Sequence, residues 1–176
     1  MRFPILGVIV LVTLAGCDSD SEEGDSRKPV PPAAEAQPTS DKLTRRVDAL
    51  CKDVNPELAE TMTALTEARD ASRAGRASLR ETFETFATLL RRASAITKRF
   101  ETRLRAIEVP RSETAFYDAL IDSVEEGSSN LRRQVSAAKA QDADLLRDLS
   151  VQGSVINSRT QGVIEGHGGF RFCGRG

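Results

Sequence analysis

The side chains of this 176-residue chain that could do chemistry begin with three Cys and a single His. His167 lies in a glycine-rich stretch, residues 166–169, close to the C-terminus. A zinc site needs several ligands at fixed spacing, and the sequence has no H-E-x-x-H pattern. A Ser-His-Asp triad would depend on this one His, and no G-x-S-x-G motif accompanies it. We therefore interpret His167 as a loop residue, and we expect neither a metal site nor a cofactor.

Carboxylates are abundant, and three pairs of them lie close together in the sequence: Glu81/Glu84, Glu125/Glu126 and Asp142/Asp144. A pair that works as general acid and base needs one buried member with a raised pKa. Each of these pairs has polar neighbours and lies off, or at the margin of, an apolar stripe. We interpret them as solvated helix faces or first-turn charges, and we expect that the protein is not an enzyme.

A run of basic residues is a further candidate for a functional site. Seven basic residues lie from Arg91 to Arg111, against two acidic ones. Arg91, Lys98 and Arg105 are seven residues apart, so they share a helix face. Such a face could bind anionic lipid or an acidic partner, the chain's own acidic segment included. We favour the alternative that these cations complement the macrodipole of a helix C-terminal half.

The balance of charge over the whole chain is nearly even. The sequence has 25 basic and 26 acidic residues, for a formal net charge of −1. An even balance gives no electrostatic reason to expect a polyanion as the main partner. We therefore expect no nucleic-acid partner.

The elements that position these residues are predicted to be helices. From Asp41 onward the chain is rich in strong helix formers and shows no strand-like alternation. A first helical piece spans Leu43 to Val54. Asn55 and Pro56 then have the residue types of an N-cap and a first helical position, so we expect the helix to restart there. Gly75 marks the turn that follows.

Three more helices are predicted after this turn. The second has the clearest apolar stripe, which consists of Leu79, Phe83, Phe86, Leu90, Ala93, Ile96, Phe100, Leu104 and Ile107. It should end before Pro110, because a proline disfavours helix in the residue before it. The third should have Ser112 as its N-cap and end near residue 140. The fourth should bury Leu145, Leu149, Ile156 and Val163. Four amphipathic helices with short turns predict an all-α fold, an antiparallel four-helix bundle over residues 41–176.

The N-terminus is predicted to be a targeting segment. Residues 3–14 form an apolar stretch after Arg2 that has the length of a signal-peptide core and is too short to span a membrane comfortably. The sequence Leu14-Ala15-Gly16-Cys17 that follows resembles the lipobox of bacterial lipoproteins. The resemblance implies removal of residues 1–16, a diacylglyceryl thioether on Cys17 and usually an acyl chain on its amine. An ordinary signal peptide or an uncleaved helix are the alternatives.

A tether is predicted between this segment and the bundle. Residues 17–40 begin with the Cys of the lipobox and are otherwise acidic, Ser-rich and Pro-rich. A segment of this kind buries too little apolar surface to offset its conformational entropy, so we expect disorder. Several acyl chains give stable anchoring. The expected location is therefore the bacterial cell membrane, with the bundle facing the outside or the periplasm.

The two other cysteines are predicted to pair. The lipobox places Cys51 and Cys173 outside the cytosol, where disulfides persist. In an antiparallel four-helix bundle the start of the first helix and the end of the fourth lie at the same end, so a bridge is geometrically natural. The alternatives are a buried free thiol at Cys51 and a reactive thiol at Cys173.

The body also resembles a loose class of small secreted helical proteins and lipoproteins of high-GC bacteria, especially actinobacteria. Four short motifs carry the resemblance: Leu50-Cys51, Ile107-Glu108-Val109-Pro110, Ala137-Ala138-Lys139-Ala140-Gln141-Asp142 and Gly169-Phe170-Arg171-Phe172-Cys173-Gly174. Gln141 stands where members of the class often have Gly. The resemblance implies a helical fold and a disulfide, and it implies no activity.

Two functional hypotheses follow. The first is a membrane-anchored lipoprotein that presents its bundle to a protein or envelope partner without catalysing a reaction. The second is a carrier of small apolar ligands with a cavity between the helices, because Phe83, Phe86, Phe100 and Phe116 could line one. These rings are also what a plain packed core would contain.

Overall fold

The computed structural model describes residues 40–174. Within them it shows four helices: α1 over Ser40–Arg73, α2 over Leu79–Arg105, α3 over Thr114–Lys139 and α4 over Ala143–His167. A short 3-10 turn over Arg111–Glu113 precedes α3. The predicted all-α class is confirmed. The predicted signal peptide, Cys17 and the predicted tether up to residue 39 lie outside the described residues.

The helices pack in sequence order as an antiparallel bundle. Helix α1 packs on α2, α2 on α3, and α3 on α4. The end of the bundle that holds Ser40, the end of α2, the start of α3 and the end of α4 is called the closed end here. The opposite end, with the turns at 74–78 and 140–142, is called the distal end.

Two clusters of buried side chains form the core, and each takes residues from all four helices. The cluster nearer the closed end includes Leu43, Val47, Leu50, Leu104, Tyr117, Leu120, Ile121, Val124 and Ile164. The cluster nearer the distal end includes Leu65, Phe83, Ala87, Leu90, Ala137, Ala138, Leu146 and Leu149. The predicted stripe on α2 is confirmed at its centre, since Leu90, Ile96 and Leu104 are buried.

The two distal turns have well-defined caps. Ser78 and Glu81 form a reciprocal capping box at the start of α2, which satisfies two otherwise free backbone donors. Asp142 caps α4 by accepting a hydrogen bond from the Leu145 amide at 2.9 Å. Gly75 and Gln141 take left-handed backbone angles in these turns, with φ of 68° and 56°. The predicted turns are therefore confirmed, although Gln141 pays a steric penalty that Gly75 avoids.

Three sequence-based expectations are corrected by the structure. Helix α1 does not restart at Pro56 but runs through it. The Asn55 amide does not cap a helix, because it donates to the Phe172 carbonyl in the C-terminal tail at 2.8 Å. The continuous apolar face, with Val54 and Leu65 buried on either side of the proline, supplies packing that offsets one lost backbone hydrogen bond.

The other two corrections concern helix starts. Ser112 lies inside the 3-10 turn, and the residue before α3 is Glu113. Leu79 and Leu145, expected in the core, are 56% and 42% exposed. Each lies in the first turn of its helix at the distal end, on the side that faces solvent. Leu146 is buried in the place expected for Leu145.

Candidate functional site at the closed end

The predicted disulfide is present and closes one end of the bundle. Cys51 on α1 is joined to Cys173 in the tail, with Cα atoms 5.2 Å apart and a sequence separation of 122. Both residues are buried, at 8% and 5% exposure. Cys51 lies on the inward stripe of α1 with Val47 and Leu50, so the bridge brings the tail against the core.

A buried carboxylate holds the same tail. The Oδ1 atom of Asp48, one turn before Cys51, accepts hydrogen bonds from three consecutive backbone amides, those of Arg171, Phe172 and Cys173, at 3.0, 2.6 and 3.1 Å. Asp48 is only 8% exposed. Consecutive amides that converge on one anion form a strong, charge-assisted arrangement. The tail is thus attached to α1 by the disulfide, by Asp48 and by the Asn55 amide, which donates to the Phe172 carbonyl.

The path of the tail depends on two glycines after α4. Gly168 and Gly169 have φ angles of 75° and 79°, which side-chain-bearing residues rarely adopt. A Cβ atom on Gly169 would lie 3.4 Å from the Thr44 methyl carbon. The glycines therefore reverse the chain after α4 and lead it across α1 without a clash.

His167 lies at this end of the bundle. The sequence predicted a loop residue, and that prediction is wrong. His167 is the last residue of α4, and its Nε2 atom lies 2.8 Å from Glu113 Oε2. The imidazole ring packs against the Phe116 ring, with centroids 4.0 Å apart, and Phe170 of the tail lies 5.4 Å away. The pair ties the end of α4 to the start of α3.

The closed end therefore joins three chain segments by bonds between its own polar groups. Asp48 and Asn55 bond to the tail, and His167 bonds to Glu113. This arrangement fixes residues 168–173 against α1, with Cys173 buried. It leaves the side chains of Arg171 and Phe172 exposed, whereas Phe170 packs against the core.

A second candidate location is a polar cleft of about 590 Å³ between α2 and α3. Its lining side chains are charged or hydroxylic: Lys98, Glu101, Asp122, Glu125, Glu126, Ser128, Ser129 and Arg132. Glu101 is buried at 5% exposure. Lys98 Nζ lies 3.1 Å from Glu101 Oε1, and Arg105 Nε lies 3.4 Å from the same oxygen. The hydrogen bond from Lys98, aided by Arg105 and opposed by burial, holds the pKa of Glu101 below its ordinary value.

The three carboxylate pairs singled out in the sequence do not form acid–base sites with each other, because each member has its own partner. At the start of α2, Glu81 caps Ser78, and Glu84 pairs with Arg80. On α3, Glu125 pairs with Arg105 and Glu126 with Arg159. On α4, Asp142 caps the helix and Asp144 pairs with Arg147.

The basic run on α2 is matched by acids on α1. Arg103, Arg99 and Arg92 pair with Asp53, Glu57 and Glu60 at 2.7, 2.6 and 2.7 Å. We call these three pairs the ion-pair ladder. Because the helices are antiparallel, residue numbers in these pairs increase along α1 while they decrease along α2. Within the described part of the chain, Lys98 and Arg105 are also paired, both with Glu101. Arg91 instead donates to the Ala87 carbonyl.

The four phenylalanines considered as walls of a ligand cavity are core residues. Phe83 is 5% exposed and packs in the distal cluster, with Phe86 against it. Phe100 and Phe116 pack against the cluster near the closed end. Their rings contribute to the packing of the bundle, and the cleft described above has polar walls.

Neither a metal site nor a membrane span is found among the described residues. No group of three or more His, Cys, Asp or Glu side chains within residues 40–174 is placed to hold a metal ion. None of the helices described in that range is both long and apolar enough to cross a membrane.

Several important polar residues were not singled out from the sequence. Asp48 and Glu101 are buried acids, and Asn130 and Gln134 form a buried amide pair on α3 at 2.5 Å. Asp48 directly follows Val47 on the apolar stripe, and Glu101 lies three residues before Leu104. These positions beside apolar residues were the signal in the sequence that Asp48 and Glu101 would be buried.

Comparison of the chain with protein-family models, with curated proteins and with solved structures found no match.

Proposed function

We propose that the protein is a bacterial lipoprotein, anchored to the membrane through Cys17, that presents its helical bundle to a protein or envelope partner without catalysing a reaction. The observation that carries the proposal is the sequence Leu14-Ala15-Gly16-Cys17 at the end of a short apolar segment. A lipid on Cys17 anchors the chain, and residues 18–39 connect the anchor to α1.

The disulfide supports export from the cytosol. Disulfides persist in oxidising compartments and are rare where thiols are kept reduced. The Cys51–Cys173 bridge joins the first helix of the bundle to its last residues. A body built in this way suits a protein that folds after translocation.

The arrangement of polar groups favours binding over catalysis. At the closed end, Asp48, Asn55 and His167 bond to groups of the same chain. Acid–base catalysis needs such groups to face a substrate. What the bundle offers to its surroundings is a rigid surface of charged side chains, which suits recognition.

Replacement of Cys17 tests the proposal. The Cys17→Ser variant and the wild type are expressed in the native host, and the membranes are washed in about 0.5 M salt to remove proteins held by charge alone. We expect the variant to appear in the soluble fraction or as an unprocessed precursor. As a control, the double variant Cys51→Ser/Cys173→Ser should stay with the membranes. A Cys17→Ser product of mature size that remains in the washed membranes would contradict the proposal.

A further inference from the structure

Cations without an ion-pair partner are concentrated beside the start of α1. Within the described residues, Lys42, Arg45, Arg46 and Lys52 on α1 and Arg171 in the tail are exposed and form no ion pair. We call these five residues, together with Phe172, the basic end patch. The cations of α2 differ, because the ion-pair ladder neutralises three of them.

The spacing on α1 places these cations together. Lys42, Arg45 and Lys52 are separated by three and seven residues, so they lie on one face of the helix, opposite the buried Val47 and Val54. From Lys42 to Lys52 the helix rises about 15 Å. The face is thus a short basic strip that begins two residues after the first described residue of the chain.

The tail completes the patch. The bond from the Arg171 amide to Asp48 brings this residue to the side of α1. The next residue, Phe172, is a large apolar side chain that stays 39% exposed. Lys52 Nζ lies 5.4 Å from the centre of its ring. The disulfide and Asp48 hold this aromatic ring in place among the cations.

Nearby acids cancel only part of this charge. Asp53 is paired with Arg103. Asp48, which is buried against three uncharged amides, and Asp41, which is exposed, each offset one of the five cations. The patch is therefore positive although the whole chain has a formal net charge of −1.

We infer that the basic end patch docks on an anionic lipid surface. Clustered Lys and Arg side chains are attracted to anionic headgroups, and an exposed aromatic ring favours the membrane interface. The inference rests on the proposed function, which holds the start of α1 near a membrane. With the patch on the bilayer, the bundle lies against the membrane and does not swing freely on its tether.

Vesicle binding by the unlipidated protein tests the inference separately from the anchor. The chain from residue 17 onward with Cys17→Ser is sedimented with vesicles of pure phosphatidylcholine, and with vesicles that contain about one third phosphatidylglycerol. Each basic residue near an anionic surface contributes roughly a fivefold increase in binding. We expect binding to the anionic vesicles only, and a decrease as salt is added.

Two pairs of charge reversals locate the contact. Arg45→Glu/Lys52→Glu should weaken binding to anionic vesicles by roughly 25-fold or more. The matched control is Arg76→Glu/Lys139→Glu at the distal end, where both side chains are exposed and form no ion pair among the described residues. This control should bind like the parent protein. Phe172→Ala should weaken the binding to anionic vesicles at low salt.

Three outcomes would overturn the inference: no binding to anionic vesicles, equal losses in the two double variants, or binding that appears only after the acids of residues 18–25 are neutralised. The last result would mean that the chain's own acidic segment occupies the patch. The fractionation of Cys17→Ser does not depend on any of these outcomes, so failure of the patch and failure of the anchor are distinguishable.

Discussion

Asp48 and Glu101 are two buried carboxylates with different partners. Asp48 is held by backbone amides of the tail, which carry no net charge. Glu101 is held by Lys98 and Arg105, whose side chains remain largely exposed. Removing a buried charge from a partnered site costs more than removing an exposed one. The two acids therefore contribute to stability through different contacts, and the contacts of Glu101 lower its pKa.

A Glu101→Gln variant should reveal how much the charge of Glu101 contributes to the free energy of unfolding, because this contribution depends on pH. The pKa of Glu101 is lowered mainly by the hydrogen bond from Lys98, so it lies below the ordinary value of about 4.3. The folded state then binds the proton less tightly than the unfolded state. The stabilisation is complete above that ordinary value and is lost as the pH falls through the folded-state pKa. At pH 7 we expect Glu101→Gln to lower the free energy of unfolding by about 1–2 kcal/mol.

Urea denaturation at pH 7 and at pH 3 measures the effect. The control is Glu84→Gln, which removes an exposed ion pair with Arg80 and should change stability by less than about 1 kcal/mol. We expect the difference between wild type and Glu101→Gln to shrink at pH 3. A difference of the same size at both pH values would show that the charge of Glu101 does not stabilise the fold.

The turns at the distal end determine where the helices stop. They differ in how well the residue type at the left-handed position suits its backbone angles. Gln141 has a φ of 56° and Gly75 a φ of 68°. A side chain is disfavoured in this region, whereas glycine adopts it freely. A Cβ atom at position 75 would have no neighbour within 4 Å. Any cost of a side chain there thus comes from the backbone alone.

Reciprocal substitutions test this view of the turns. Gln141→Gly should raise the free energy of unfolding by up to about 1 kcal/mol, and Gly75→Ala should lower it by about 1 kcal/mol. Thermal and urea unfolding of both variants gives the comparison. A less stable Gln141→Gly variant would mean that contacts of the Gln141 side chain outweigh its backbone conformation.

The helices were largely predictable from the sequence, and their ends were less so. The stripe of α2 and the turn at Gly75 follow from periodicity and residue type, which act locally. The continuity of α1 through Pro56 depends on packing against α2, which no local pattern contains. The exposure of Leu79 and Leu145 likewise depends on which side of each first turn meets the neighbouring helices.

The same distinction applies to the candidate site. The Cys51–Cys173 pairing could be predicted because an antiparallel four-helix bundle brings the two ends of the chain together. The roles of Asp48 and Asn55 depend on the path of the tail, which only the folded chain defines. The ion-pair ladder needs the register between α1 and α2. The sequence suggested macrodipole interactions for the basic run, and Arg103 and Arg105 do lie in the last turn of α2. The pairing of three cations of the run with α1 follows only from the fold.

At the scale of the whole molecule, the disulfide fixes the tail to the bundle. It closes a loop across 122 residues, and the chain-entropy model gives up to about 5 kcal/mol for a loop of that size. Cys51→Ser or Cys173→Ser should therefore lower the melting temperature by several degrees or more. The double variant should be no less stable than either single variant, since both remove one shared constraint.

Calorimetry of the three variants, with thiol titration of the unreduced wild type, measures this effect. The bonds from Asp48 to the tail remain in every variant, so the fold should be weakened and not abolished. Two free thiols in wild-type protein prepared without reductant would contradict the bridge.

The central claim is that the mature protein begins at Cys17, is anchored there by lipid and is closed by the disulfide. The most direct measurement is the intact mass of the protein extracted from the membranes of its native host, before and after reduction. We predict a mass of residues 17–176 plus the lipid groups on Cys17, and a gain of two hydrogens on reduction. Fragmentation should locate the added mass on Cys17. An unmodified Cys17, whether in a chain that retains residues 1–16 or in one cleaved elsewhere, would contradict the account.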